Sequence, residues 1–231
     1  MKIFLILIIS VVLGLSSCAQ STTKIIKDEK APEKSTVMPK AEEVKTPELS
    51  TVMPRHLPYY QIPDYPESYS APNVLARTID GLGYRYHWAT KGLTDTDLAY
   101  KPSEDGRSAA ETLDHLYGLA SMIENSIASK PNVRPSPPSP TSWSEKRKAT
   151  LDKIKNASDL LKEMEDLDGL KITFQRGENS SDLPLWHLMN GPVADAIYHV
   201  GQIVVFRRAN GNPQNPGVNV FMGKTEVVKD K

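Results

Sequence analysis

The chain has 231 residues and a formal net charge of zero, with 28 Lys and Arg set against 28 Asp and Glu and no basic block among them. That balance gives no case for nucleic-acid binding. Cys18 is the only cysteine. With its thiol committed to a lipid, as argued next, disulfides, a Cys nucleophile and thiolate zinc sites are excluded from the mature domain.

The first residues read as an address. Lys2 is a positive start and Ile3–Leu15 an apolar run, a signal-peptide pattern over residues 1–17. Leu15-Ser16-Ser17-Cys18 resembles the bacterial lipobox, which implies cleavage before Cys18 and lipidation of its sulfur. The expected location is the bacterial cell envelope, with the protein held on a membrane surface by acyl chains rather than by a spanning helix. Residues 18–55 are rich in Lys, Glu, Pro, Ser and Thr and read as a flexible tether. An imperfect repeat, Pro32–Pro39 returning as Pro47–Pro54, is a spacer lengthened by duplication and not a solenoid.

Composition shifts at His56, where a domain spanning 56–222 is expected, followed by a C-terminal tail at 223–231. Leu57–Pro66 is aromatic and proline-rich, so it reads as an extended strap lying on the domain. Four helical stretches follow. The first covers about 73–90, with Leu75, Ile79, Leu82 and Tyr86 at helical spacing. The second opens at Ser108 with Glu111 three residues on, a capping-box pattern, and runs through Leu113, Leu116, Ile123 and Ile127. The third opens with Ser142 and Glu145 and ends near Gly169. The fourth lies in Leu183–Phe206, with Pro184 or Pro192 starting or kinking it and Asn210-Gly211-Asn212-Pro213 stopping it. Lys171–Arg176 reads as a short strand without a confident partner. The expected fold class is all-α, a four-helix bundle with an N-terminal extended strap and a disordered tether.

The chemistry concentrates in the last helix. Asp195 is the only Asp, Glu, Lys or Arg between Leu183 and Phe206. A stretch this apolar predicts burial, and a buried carboxylate needs a partner or a metal. His199 and Gln202 follow at i+4 and i+7 and share its face. His115, on the second helix, lies on an apolar line with Leu119 and Met122. Together His115, Asp195 and His199 form a two-histidine, one-carboxylate set that leaves coordination positions open, as catalytic metal sites do. Packed core histidines and a buried ion pair are the competing explanations. A membrane span is opposed by Pro184, Asn190, Gly191, Pro192, Asp195 and Gln202. His87, Trp186 and His187 are candidates for the pocket wall. Gln202 is the candidate catalytic residue, placed to hydrogen-bond a metal-bound water or to orient a ligand.

The run Asn190–Ile203, with His199-Val200-Gly201-Gln202 as its most specific part, resembles the last-helix motif of the DinB-like superfamily of metal-binding four-helix bundles. Thr112-Leu113-Asp114-His115-Leu116 resembles that superfamily's second-helix ligand segment. The likeness extends over about 57–221. It implies one divalent metal on His115, Asp195 and His199, zinc or nickel in the common three-histidine pattern. Asp195 stands where many members have His; it lowers the charge of the set and favours manganese or iron more than an all-histidine site does. The resemblance further implies a metal-dependent hydrolase or a thiol-dependent transferase acting on a small-molecule substrate, with a low-molecular-weight thiol as a candidate partner and a homodimer left open. The alternative is a non-enzymatic envelope binding lipoprotein with a structural or lost metal site.

Overall fold

A computed structural model describes residues 57–226. The signal peptide at 1–17, Cys18 and the tether at 18–55 lie outside the described residues. Helices dominate the rest, and no helix among the described residues is long and apolar enough to cross a membrane.

Each long helix begins where the sequence supplies a cap. Helix α1 (Ala71–Thr90) starts after Ser70, whose hydroxyl accepts from Asn73 N–H, with Pro72 in its first turn. A short α2 (Asp95–Ala99) is capped by a reciprocal pair, Thr94 and Asp97. Helix α3 (Ala109–Ile127) carries the expected capping box: Glu111 N–H donates to Ser108 Oγ at 3.1 Å and Ser108 N–H to Glu111 Oε2 at 2.7 Å. Helix α4 (Trp143–Lys162) begins after Ser142, which accepts from Glu145 N–H. It stops seven residues before Gly169. Glu163, Glu165, Asp166 and Asp168 follow its last turn, where the helix dipole disfavours negative charge.

Helix α1 packs on α4 and on α6 (Ala194–Ala209), and α3 packs on the same two. Leu75, Ile79, Leu82 and Tyr86 from α1 meet Leu113, Leu116 and Ile123 from α3 and Leu151, Ile154 and Leu161 from α4 in one apolar core, which α6 closes with Ala196, Val200 and Ile203. The i, i+4, i+7 spacing of these α6 residues defines its core face.

The all-α expectation needs correction, because two small sheets are present. In the first, β1 (Asn132–Val133) pairs in parallel with β2 (Lys171–Arg176), and β2 pairs antiparallel with β3 (Asn179–Pro184). Strand β3 is the partner that the sequence failed to signal. All six of its residues are exposed, so no alternation of polar and apolar marks it. Its register is set by the two-residue loop Gly177-Glu178, where Gly177 takes φ +58°. The second sheet is a short hairpin of β4 (Val218–Asn219) and β5 (Lys224–Thr225). The stretch assigned to the C-terminal tail therefore begins inside this hairpin, and the Tyr84 hydroxyl donates to Lys224 O at 2.7 Å.

The segment before α1 touches it repeatedly. Tyr59 hydroxyl donates to the buried carboxylate of Asp80 at 2.9 Å, and Lys162 Nζ lies 2.9 Å from the same carboxylate. Trp88 Nε1 donates to Tyr60 O, and Arg77 Nη1 to Pro63 O. Tyr59 rests against Gly83: a Cβ built there would come within 2.4 Å of its ring. Only glycine leaves that space open.

Candidate metal centre

The approach to α6 is irregular, and Pro192 explains why. A three-residue turn, α5 (Trp186–Leu188), runs into a π-helical turn over Met189–Val193 before α6 begins. Proline has no N–H to donate four residues back. The chain bypasses the gap by a wider turn, in which Ala194 N–H reaches Met189 O, five residues back. A residue added in this way shifts the phase of everything after it, and such turns concentrate at functional sites. Beyond the turn, Ala196, Val200, Ile203 and Arg207 are buried. Asp195, His199 and Gln202 form the adjacent row, partly exposed and beside α3.

On α3, Leu113 and Leu116 point into the core while His115, between them, stands at its edge. His115 Nε2 lies 3.0 Å from Asp195 Oδ2, and His199 Nε2 lies 3.3 Å from Asp195 Oδ1. The imidazoles meet edge to face, with centroids 4.7 Å apart. One ligand atom from each of the three residues falls within 4.8 Å of the others, so the group could hold a metal ion. Bonds of about 2.0–2.1 Å place neighbouring ligand atoms about 2.9–3.4 Å apart at tetrahedral or octahedral angles. Each separation to Asp195 lies in that range, one through Oδ2 and the other through Oδ1.

The hydrogen bond on the far side of His199 sets its tautomer. Its Nδ1 is 2.7 Å from Gln202 Oε1, an oxygen that can only accept. Nδ1 therefore carries a proton, and Nε2 is turned toward Asp195. A lone pair facing a carboxylate oxygen at 3.3 Å is repulsive unless a proton or a metal ion lies between them. This is the arrangement of a metal-binding histidine oriented through its other nitrogen. Gln202, the candidate catalytic residue, is thus committed to positioning His199.

Burial departs from expectation. The apolar segment 183–206 is not enclosed: Trp186 is 73 % exposed and Tyr198 64 %. The side chains of Asp195 and His115 are 40 % and 35 % exposed, against 13 % for His199. Composition alone misled because an exposed face of α6, with Ala194, Tyr198, Gly201 and Val205, is as apolar as the packed one. The case for the site rests on the meeting of the three side chains and not on deep burial of Asp195.

A cleft of about 490 Å³ opens beside the group, and His115 lines it. Its walls come from α3, the 132–139 loop and Lys153 of α4. The three expected pocket residues are elsewhere. His87 is buried on α1, with Nδ1–H donating to Pro58 O at 2.7 Å and its ring against Tyr60 and Trp88. Burial pushes its pKa down to about 4, helped by nearby Arg147 and Lys91 and opposed by the Pro58 hydrogen bond. Trp186 and His187 are exposed on α5 and do not line the cleft. Glu111 is committed to its cap, and the Ser108 hydrogen bonds hold its carboxyl below the usual range. Arg207 is buried at the opposite end of α6, where Nη1 donates to the carbonyls of Trp88, Ala89 and Lys91 and so closes the end of α1. Arg134, Tyr117 and Asn125 are cleft residues that the sequence reading missed; Arg134 sits in a proline-rich loop without periodicity, and Tyr117 and Asn125 lie off the apolar stripe of α3.

In comparisons with family models, with curated proteins and with solved structures, nothing matches this chain.

Proposed function

We propose that residues 57–226 form a DinB-like four-helix bundle built on α1, α3, α4 and α6, and that it is a metal-dependent enzyme of the bacterial cell envelope, anchored through a lipid on Cys18. The mutual packing of these four helices supports the bundle. One observation carries the metal reading: a ligand atom from each of His115, Asp195 and His199 falls within 4.8 Å of the others, and Gln202, 2.7 Å from His199 Nδ1, leaves Nε2 facing the carboxylate. His115, Asp195 and His199 would hold a divalent ion, whose Lewis acidity would activate a water or a cosubstrate thiol for hydrolysis or thiol-dependent transfer. Three protein ligands with partly exposed side chains leave room for that reactant, whereas structural zinc sites are closed by four. Asp195 fixes the two histidines through separate oxygens, and His115 presents the group to the cleft. The two-nitrogen, one-oxygen set accommodates zinc or nickel and favours manganese or iron more than three histidines would.

The test is metal analysis of protein purified without chelator, beside a His199→Ala variant. Near-stoichiometric metal in the parent protein and its loss in the variant are expected. Equal metal content in both would overturn the site.

A further inference from the structure

We propose that the cleft along α3 binds an elongated organic anion, its charged end gripped by Arg134 and its other end presented to the His115, Asp195 and His199 group. The reactive end rests on the metal reading above; the anion end does not.

The geometry begins with His115, Gly118, Met122 and Asn125, which line the cleft at i, i+3, i+7 and i+10. At 1.5 Å per residue they run about 15 Å along the helix. His115 marks one end. Arg134 belongs to the other. Asn125 Nδ2 donates to Asn132 Oδ1, Asn132 Nδ2 to Thr173 O, and Arg134 N–H to Gln175 O. Strand β1 is thereby fixed beside the Asn125 end of α3, and Arg134 follows it directly.

Charge selects the ligand. Of the charged side chains lining the cleft, Asp114 is paired with Lys146 and Lys153 with Glu124 at 2.7 Å. Arg134 donates to Ser136 Oγ at 2.6 Å, and among the described residues no carboxylate lies within ion-pair distance of it. A guanidinium has five donors in a planar fork, suited to two oxygens of one carboxylate or phosphate. Between the ends, Leu119, Met122, Val133 and Pro137 offer apolar wall. A Cβ built on Gly118 would meet no atom within 4 Å, so the middle of the cleft is open. Its volume is within the range of small-molecule sites. The matching ligand has one anionic terminus, an apolar body and a length on the order of 10–15 Å.

The test uses the full chain, stripped of metal and dialysed free of chelator, in a titration followed by NMR. 8-Hydroxyoctanoate is the carboxylate probe, 8-hydroxyoctyl phosphate the phosphate probe and 1,8-octanediol the neutral control. At least one anion is expected to bind more tightly than the diol, and whichever does names the terminus. Arg134→Ala is expected to weaken that binding roughly tenfold or more, and Gly118→Leu to block it. Arg208→Ala, which changes an exposed α6 arginine outside the cleft, is expected to leave it unchanged. Binding no tighter than the diol, or equal affinity in Arg134→Ala, overturns the proposal. Manganese added to the parent protein is expected to broaden the bound ligand's signals; unbroadened signals on protein that has taken up manganese overturn the presented end. If His199→Ala leaves metal content unchanged while Arg134-dependent binding persists, the metal reading fails and the anion site stands.

Discussion

Replacing Gln202 by Leu tests the tautomer argument without touching a ligand. The substitution removes the acceptor 2.7 Å from His199 Nδ1 and leaves His115, Asp195 and His199 in place. Losses of about 10–100-fold in metal affinity follow removal of such an outer partner, or about 1.4–2.7 kcal/mol. Thermal unfolding reads the same quantity. At a free metal concentration of about 100 times the parent's Kd, binding stabilises the fold by about 2.7 kcal/mol; a variant weakened 100-fold retains about 0.4. For a domain of this size 1 kcal/mol moves Tm by about 2–4 °C. The metal-induced rise should shrink from about 5–11 °C to about 1–2 °C, while the metal-free midpoints stay close. Gln202→Glu, which restores an acceptor and adds charge, should recover the affinity. An unchanged Kd and an unchanged metal-induced rise in Gln202→Leu would refute the assignment of the Nδ1 proton.

Gly83→Ala should lower stability by about 1–3 kcal/mol through overpacking, offset by up to about 1 kcal/mol of helix propensity, because its Cβ would come within 2.4 Å of the Tyr59 ring. A calorimetric midpoint equal to or above the parent's would contradict that packing. His87 should make the fold acid-sensitive. Its pKa is depressed from 6.5 to about 4, so below pH 6.5 the unfolded chain takes up a proton that the folded one refuses. Its contribution is complete above about pH 6.5 and is lost as pH falls toward 4, up to about 3 kcal/mol. Denaturant titrations of His87→Gln should show a correspondingly flatter slope across that window. Cys18→Ser should abolish incorporation of labelled fatty acid; labelling equal to the parent's would disprove the anchor.

The parts of the fold that were legible in the sequence carry a local signal. Ser108 with Glu111 and Ser142 with Glu145 announced two helix starts, because capping is chemistry between near neighbours. The i, i+4 pair Asp195 and His199 was readable for the same reason. His115 is 80 residues from Asp195, and only its place on an apolar helix face suggested it. Strand β3 was not legible, since Asn179–Pro184 is held by the turn and by backbone pairing with β2. His87, Trp186 and His187 were misplaced because proximity in sequence to an aromatic or to the motif says nothing about direction. Pro192 marks the interruption before α6, but it does not encode which way Trp186 and His187, upstream of the widened turn, face.

That turn makes the alignment of the site adjustable by simple means. Removing one residue from Met189–Val193 would rotate the rest of α6 by about 100°, exchanging the row that carries Asp195 and His199 for a neighbouring one while the covalent neighbours of both remain the same. A lineage could therefore retire or restore the group by a single codon insertion or deletion, with both ligands still present in the text of the gene. In this fold, counting residues between landmarks is as informative as identifying them.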